Sequence, residues 1–175
     1  MIEVGVRRAE PGDLDALVRL CERYRLIDLQ SFEEPSARSA FAQLLEPGDR
    51  GFVLVSESGG AVTGYAVVTW GFSIESGGLD ALLDELYVES RGEGTGSALI
   101  QGAMAEAAAA GAVRMFLETE AHNRRARMFY ARHEFTIEDS VWMSRSLREG
   151  PGGEATPAAR AWSDSSRTEP SSSEL

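Results

Sequence analysis

Apolar and polar positions alternate in "IEVGVRRA" at the start of the chain, a strand pattern, and "EPGD" then turns it. Leu14, Leu17, Val18 and Cys21 follow at helical spacing, with Asp13 near the helix start. A second helix is predicted over Ser36 to Leu45, stopped by another "EPGD". "GFVLVSESGGAVTGYAVVTWGF" reads as two β-runs joined at Gly59-Gly60, the signal of a hairpin. A glycine-rich loop to about Asp80 leads to a third apolar run, "ALLDELYV". After a glycine cluster, a helix is predicted from Gly96 to Ala110, with Leu99, Ala103, Met104 and Ala107 on one face. "AVRMFLETE" is a further strand, "NRRARMFYARH" a helix and "FTIEDSVWMSRSL" a last hairpin. The order β-α-α-β-β-β-α-β-α-β-β predicts one α+β domain, a mixed central β-sheet flanked by helices.

From Glu149 onward Gly, Pro, Ser and charge replace the apolar period. The expected division is therefore a folded domain over 1–148 and a disordered acidic tail over 149–175. At 175 residues, 43% hydrophobic and 26% charged, the chain suits one soluble core rather than two. Its formal charge is −11, and every basic residue is arginine. That sign argues against sequence-independent nucleic-acid binding and is compatible with a cationic substrate or with simple solubility. No apolar run approaches a membrane span, so no membrane partner is expected. A single cysteine, Cys21, excludes an intramolecular disulfide, and without an export signal the predicted setting is the reducing cytoplasm.

The stretch "ESRGEGTGSALI" carries the first chemistry. Glycine costs roughly 0.5–1 kcal/mol against alanine inside a regular element, so three of them before a helix need a reason. A helix start offers unpaired N–H groups and a partial positive charge, and side-chain-free amides can turn inward as an anion nest. Arg91 adds a full charge, and a pyrophosphate is the natural guest; a glycine-rich surface turn is the alternative. Without Gly-Lys-Ser/Thr, a nucleoside-triphosphate loop is excluded. A dinucleotide site is the competing enzyme class, although the spacing here is G-x-G-x-G rather than G-x-G-x-x-G.

At "RGEGTG" the chain resembles the GNAT family of N-acetyltransferases, whose acetyl-CoA signature Arg/Gln-x-x-Gly-x-Gly/Ala is matched by Arg91, Gly94 and Gly96. "LETEAHNRRARMFYARHEF" is similar to the family's strand, Asn, helix, Tyr and Phe pattern, and the likeness extends from "VRRAEPGDLDALVRLC" to about Leu147. The resemblance implies that acetyl-CoA is the co-substrate, with Leu86 and Val88 bonding its pantetheine arm through backbone groups. Amides of Gly92, Gly94, Thr95, Gly96 and Ser97 would hold the pyrophosphate, Asn123 would contact the cofactor, and Tyr130 would stand near its sulfur. The glycine that often precedes the phenylalanine in this family is Glu134 here, which bears on how that helix ends. The resemblance is compatible with a homodimer.

Asn123, Ala126, Arg127 and Tyr130 fall at i, i+3, i+4 and i+7, one stripe of a helix. Asn123 is also a good N-cap, and Tyr130 could be a plain core aromatic. Attack of an amine on a thioester expels a thiolate, which a tyrosine hydroxyl can protonate as it leaves. The amine must itself lose a proton, at roughly 4–5 kcal/mol for an ammonium of pKa about 10.4 at pH 7. Glu118, at a strand end five residues before Asn123, is the first candidate to relay that proton, and Glu85 is the second. Glu120 shares the strand face of Glu118 by parity. Cys21 on an apolar helix face reads as core, and His122 and His133 lack metal-ligand spacing, so no metal is expected. The expected function is direct acetyl transfer from acetyl-CoA to a primary amine. A non-catalytic acyl-CoA sensor of the same fold is the alternative, and small amines, antibiotics, peptide N-termini and protein lysines all stay open as acceptors.

Overall fold

The computed structural model describes residues 5–147, so the tail expected at 149–175 lies outside the described residues. In chain order the elements are β1 (Gly5–Arg8), α1 (Leu14–Ile27), α2 (Glu34–Leu45), β2 (Gly51–Ser58), β3 (Ala61–Ser73), β4 (Gly78–Val88), α3 (Thr95–Ala109), β5 (Arg114–Leu117) and α4 (Arg124–Ala131). The strands form one sheet in the order β1-β2-β3-β4-β5, antiparallel except where β4 lies beside β5. Gly59 and Gly60 take φ of 59° and 77°, the left-handed pair that a two-residue turn between β2 and β3 requires. The glycine-rich loop expected before Asp80 shortens to a turn over residues 74–77, because β3 runs on to Ser73 and pairs with β4 from Gly78.

Two apolar layers flank the sheet, as strand alternation dictates. Val53, Val55, Tyr65 and Val67 pack under α1 and α2, which contribute Leu17, Val18, Leu20, Cys21 and Phe41. Phe52, Leu54, Ala66 and Val68 pack on the other side against Leu99, Ile100, Ala103 and Ala107 of α3. Ile100 is fully buried, whereas the Met104 expected on this face is only partly so. Burying a leucine such as Leu99 stabilises by about 1.5–3 kcal/mol. Among the described residues, no helix is long and apolar enough to cross a membrane.

One irregularity decides how the site is built. Val67 pairs with Glu85 but Val68 pairs with Leu83, leaving Asp84 as an extra residue on β4. An inserted residue reverses the faces taken by every later side chain. Ala81 and Leu83 face α3, whereas Tyr87 faces α1 and α2, and Leu86 and Val88 return to the α3 side.

Asp13 does not cap α1 through its side chain, as its position had implied. It accepts instead from the Glu10 amide at 2.8 Å and from both Nη atoms of Arg7 at 2.7 and 3.0 Å. The Arg7 guanidinium holds the Asp13 carboxyl below its ordinary value, against the opposing effect of burial. The stability this contributes is present above about pH 3.9 and lost as pH falls through the lowered value. Asp13→Asn should cost about 1–3 kcal/mol of unfolding free energy at pH 7, read by urea titration, with the difference shrinking in acid.

The described residues divide after Thr136 into two units. The last hairpin, expected over Phe135 to Leu147, does not form: residues 136–147 hold no strand or helix. Five strands are therefore present among the described residues where seven were expected. The alternation there is broken by Glu138-Asp139-Ser140, and a strand pattern becomes a strand only where a neighbour accepts its backbone bonds. Ile137, Trp142 and Met143 are correspondingly exposed.

Candidate active site

β4 and β5 pair only from Asp80–Leu83 against Arg114–Leu117, yet β4 continues to Val88. Beyond Leu83 its edge on that side has no strand partner among the described residues, and a cavity of about 930 Å³ opens there. Leu86 and Val88 line it from β4, Glu118 and Glu120 from the end of β5. An unpaired strand edge in a cleft offers backbone donors and acceptors to an extended ligand.

The glycine turn forms one wall. Gly94 is the N-cap of α3 with φ 84° and ψ −8°, and Gly92 has φ 92°, both left-handed. A Cβ added at either would meet nothing within 4 Å, so the space before α3 is open. Arg91, Gly92, Gly94, Gly96 and Ser97 all line the cleft, while Thr95 is buried behind the turn and is not part of the lining. Gly96 faces α4, where an added Cβ would make an ordinary contact with the Phe129 ring at 3.5 Å. The Ser97 hydroxyl lies 3.1 Å from Nε2 of His133. Arg124, Arg125 and Arg132 join Arg91 in the lining. None of these three arginines, nor the His133 contact, was singled out from the sequence; the arginine doublet after Asn123 was the available signal.

Asn123 caps α4, its Oδ1 accepting from the Ala126 amide at 3.0 Å. Asn123, Ala126 and Tyr130 line the cleft together, but Arg127 leaves the stripe, with its Nε buried and without a hydrogen-bond partner. Tyr130 is packed edge-on against Phe129 and Phe135, with ring centroids 5.2 and 5.9 Å away. Burial, and then the Glu120 carboxylate, push its hydroxyl pKa up, so it is protonated at neutral pH. The helix end explains the placement. Phe135 N–H bonds to Tyr130 O and Glu134 N–H to Ala131 O, the paired bonds of a Schellman motif, with the Phe135–Tyr130 contact closing it. Glu134 occupies the left-handed position of that motif, φ 66°, where glycine is preferred. Glu134→Gly should raise stability by up to about 1 kcal/mol, measured as a higher midpoint in urea. An unchanged or lower midpoint would mean the strain is relieved elsewhere.

The carboxylates differ sharply. Glu118 and Glu120 are exposed at the cleft wall. The bulge turns Glu85 toward α1, where Oε2 accepts from the Tyr65 hydroxyl at 2.7 Å and Oε1 from the Arg25 guanidinium. Cys21 Sγ stands 4.0 Å from Oε2; the cysteine is core, as expected, but it also touches this cluster. Burial lifts the Glu85 carboxyl above its ordinary value, opposed by Tyr65 and Arg25. Asp84 and Glu85 line both the main cleft and a second cavity of about 300 Å³ beside α2, so the two spaces share a wall at the bulge. Among the described residues, no group of three or more His, Cys, Asp or Glu is placed to hold a metal ion.

Residues 17–135 match the Acetyltransferase (GNAT) family. The chain is 28% identical over 134 residues to the uncharacterized N-acetyltransferase YhfO of Bacillus subtilis (strain 168), covering 75% of this chain and 89% of that one. An integron cassette protein from the mobile metagenome of Cole Harbour Salt Marsh superposes with a TM-score of 0.74 at 29% identity, over 83% of this chain and 91% of the other. The aminoglycoside N-acetyltransferase AAC(6')-Iy, solved with CoA, shares the fold with a TM-score of 0.74 at 14% identity, over 85% and 97% of the two chains.

Proposed function

Because this chain belongs to the GNAT family of acetyltransferases, we propose that it moves the acetyl group of acetyl-CoA directly onto the primary amine of a small molecule. The observation that carries this reading is the cleft where β4 and β5 part, with the glycine turn and arginines on one side and carboxylates on the other. A CoA-sized ligand suits it on three counts. The unpaired edge at Leu86 and Val88 fits an amide-bearing pantetheine arm. The turn residues that line the cleft, Gly92, Gly94, Gly96 and Ser97, fit a pyrophosphate at the α3 start, and Arg91, Arg124, Arg125 and Arg132 supply counter-charge. Asn123 contributes chiefly by holding the start of α4.

In this account Glu85 takes a proton from the acceptor ammonium and passes it to solvent, leaving the amine lone pair free. The nitrogen attacks the thioester carbonyl, a C–N bond forms and the C–S bond breaks. Tyr130 gives its proton to the departing thiolate, and the proton shed by the attacking nitrogen as the amide forms passes through solvent to return Tyr130 to its neutral form. The sequence ranks Glu118 first for the relay; burial, a raised pKa and a position on both cavities favour Glu85. A base with a raised value is ionised only at higher pH, so the acid limb of kcat/KM should lie above the usual glutamate range near ~4.3.

Calorimetry tests the cofactor assignment. CoA should bind with one-to-one stoichiometry, and NAD should bind far more weakly. NAD binding tighter than CoA would replace this assignment with a dinucleotide site.

A further inference from the structure

We propose that the cavity beside α2 is the acceptor subsite and that it takes a monoamine on a compact apolar body lacking a carboxylate; this rests on the acetyl-transfer reading above. The cavity shares Asp84 and Glu85 with the main cleft, so an amine lodged against Glu85 stands at the boundary between the acceptor space and the cleft. Its remaining lining is largely apolar, with Phe32, Phe41, Leu44 and Val67 around the space under α2. At about 300 Å³ it has room for about ten non-hydrogen atoms at a liquid share of ~30 Å³ each.

Charge narrows the class further. The acids of the lining are Asp84 and Glu85 at β4 and Glu33, which is exposed next to α2. Its base is Arg25, whose guanidinium already donates to Glu85 and to Gln30. One ammonium is therefore welcome at the β4 wall. A carboxylate on the same molecule would face two or three acids with a guanidinium already engaged, and would lose its hydration for no new partner. Extra ammonium groups, as in a polyamine or an aminoglycoside, would be pressed against the apolar walls.

The test uses purified full-length protein, acetyl-CoA and four probes: phenethylamine, phenylalanine, spermidine and kanamycin. kcat/KM, read as free thiol released, should favour phenethylamine by at least about tenfold over each of the others. Ala40→Trp and Ser36→Trp place a large ring on exposed lining positions of α2. Each should raise KM for phenethylamine by at least about tenfold while calorimetric CoA affinity, which also reports folding, is unchanged. Preference for phenylalanine, spermidine or kanamycin, or a wild-type KM in both tryptophan variants, would overturn the proposal. Thiol release with no amine at all would sink the transferase reading instead. Calorimetry of phenethylamine with CoA present then decides the cavity alone: binding lost in the tryptophan variants supports it, and no binding to the wild type overturns it.

Discussion

Glu85→Gln should lower kcat for amine acetylation by about 10²–10⁴-fold while leaving CoA affinity unchanged. The amide keeps the shape and still accepts the Tyr65 hydroxyl, but it has no negative charge for Arg25 and cannot take a proton. Leaving the half-buried Arg25 without its anion should cost about 1–2 kcal/mol of stability, which Gln30 partly offsets. The acid limb of the pH profile should vanish with the charge. Glu118→Gln, at an exposed position, should change neither stability nor rate appreciably. The two variants measured side by side locate the relay: a silent Glu85→Gln with a crippled Glu118→Gln would move it to the end of β5. Tyr130→Phe belongs in the same series. It retains the packing against Phe129 and Phe135 and removes only the proton, so kcat should drop in the same range at an unchanged melting temperature.

The second large effect is at the glycine turn. Gly94→Val should weaken CoA binding by about 10–100-fold, the worth of one lost hydrogen bond to a charged group. Two physical effects follow from this substitution. The left-handed φ of 84° strains any residue with a Cβ by about 1–2 kcal/mol, and the side chain projects into the open space before α3. Gly59→Val separates them, because Gly59 has a similar φ of 59° at the β2–β3 turn and lines neither cavity. Both variants should lose stability, measured as unfolding free energy, but only Gly94→Val should lose CoA affinity. Wild-type CoA affinity in a folded Gly94→Val protein would remove the turn from the binding site.

The sequence carried much of this arrangement because its strongest signals were local. Glycine pairs with positive φ, apolar positions at helical spacing and an asparagine at a helix start each depend on a few neighbouring residues, and each appears where it was expected. The glycine positions before α3, and the stripe from Asn123 to Tyr130 apart from Arg127, line the same cleft. What stayed hidden depends on pairing between distant segments. Nothing in "LDELYV" announces that Asp84 is the extra residue, since a bulge is a relation between two strands. Without the bulge, parity would keep Glu85 on the face of Ala81 and Leu83, away from Tyr65 and Arg25. Glu118 ranks first in the sequence on a different ground, its place at a strand end five residues before Asn123, which carries no information about where Glu85 points. The final hairpin failed for a related reason: its apolar positions suggest strands, but among the described residues no partner strand takes its backbone bonds. Glu134 shows the reverse case, a residue that local preference would not choose, held left-handed by the two bonds that end α4.

The most direct measurement is a stopped-time assay in which acetyl-CoA and a panel of small primary amines are mixed with the enzyme, free thiol is counted, and the amine is weighed by mass spectrometry. The expected result is thiol release in step with an amine heavier by one acetyl group, both abolished together in the Glu85→Gln, Tyr130→Phe double variant. Tight acetyl-CoA binding with no thiol released from any amine would contradict it, and would make the cleft a sensor of the thioester rather than a catalyst.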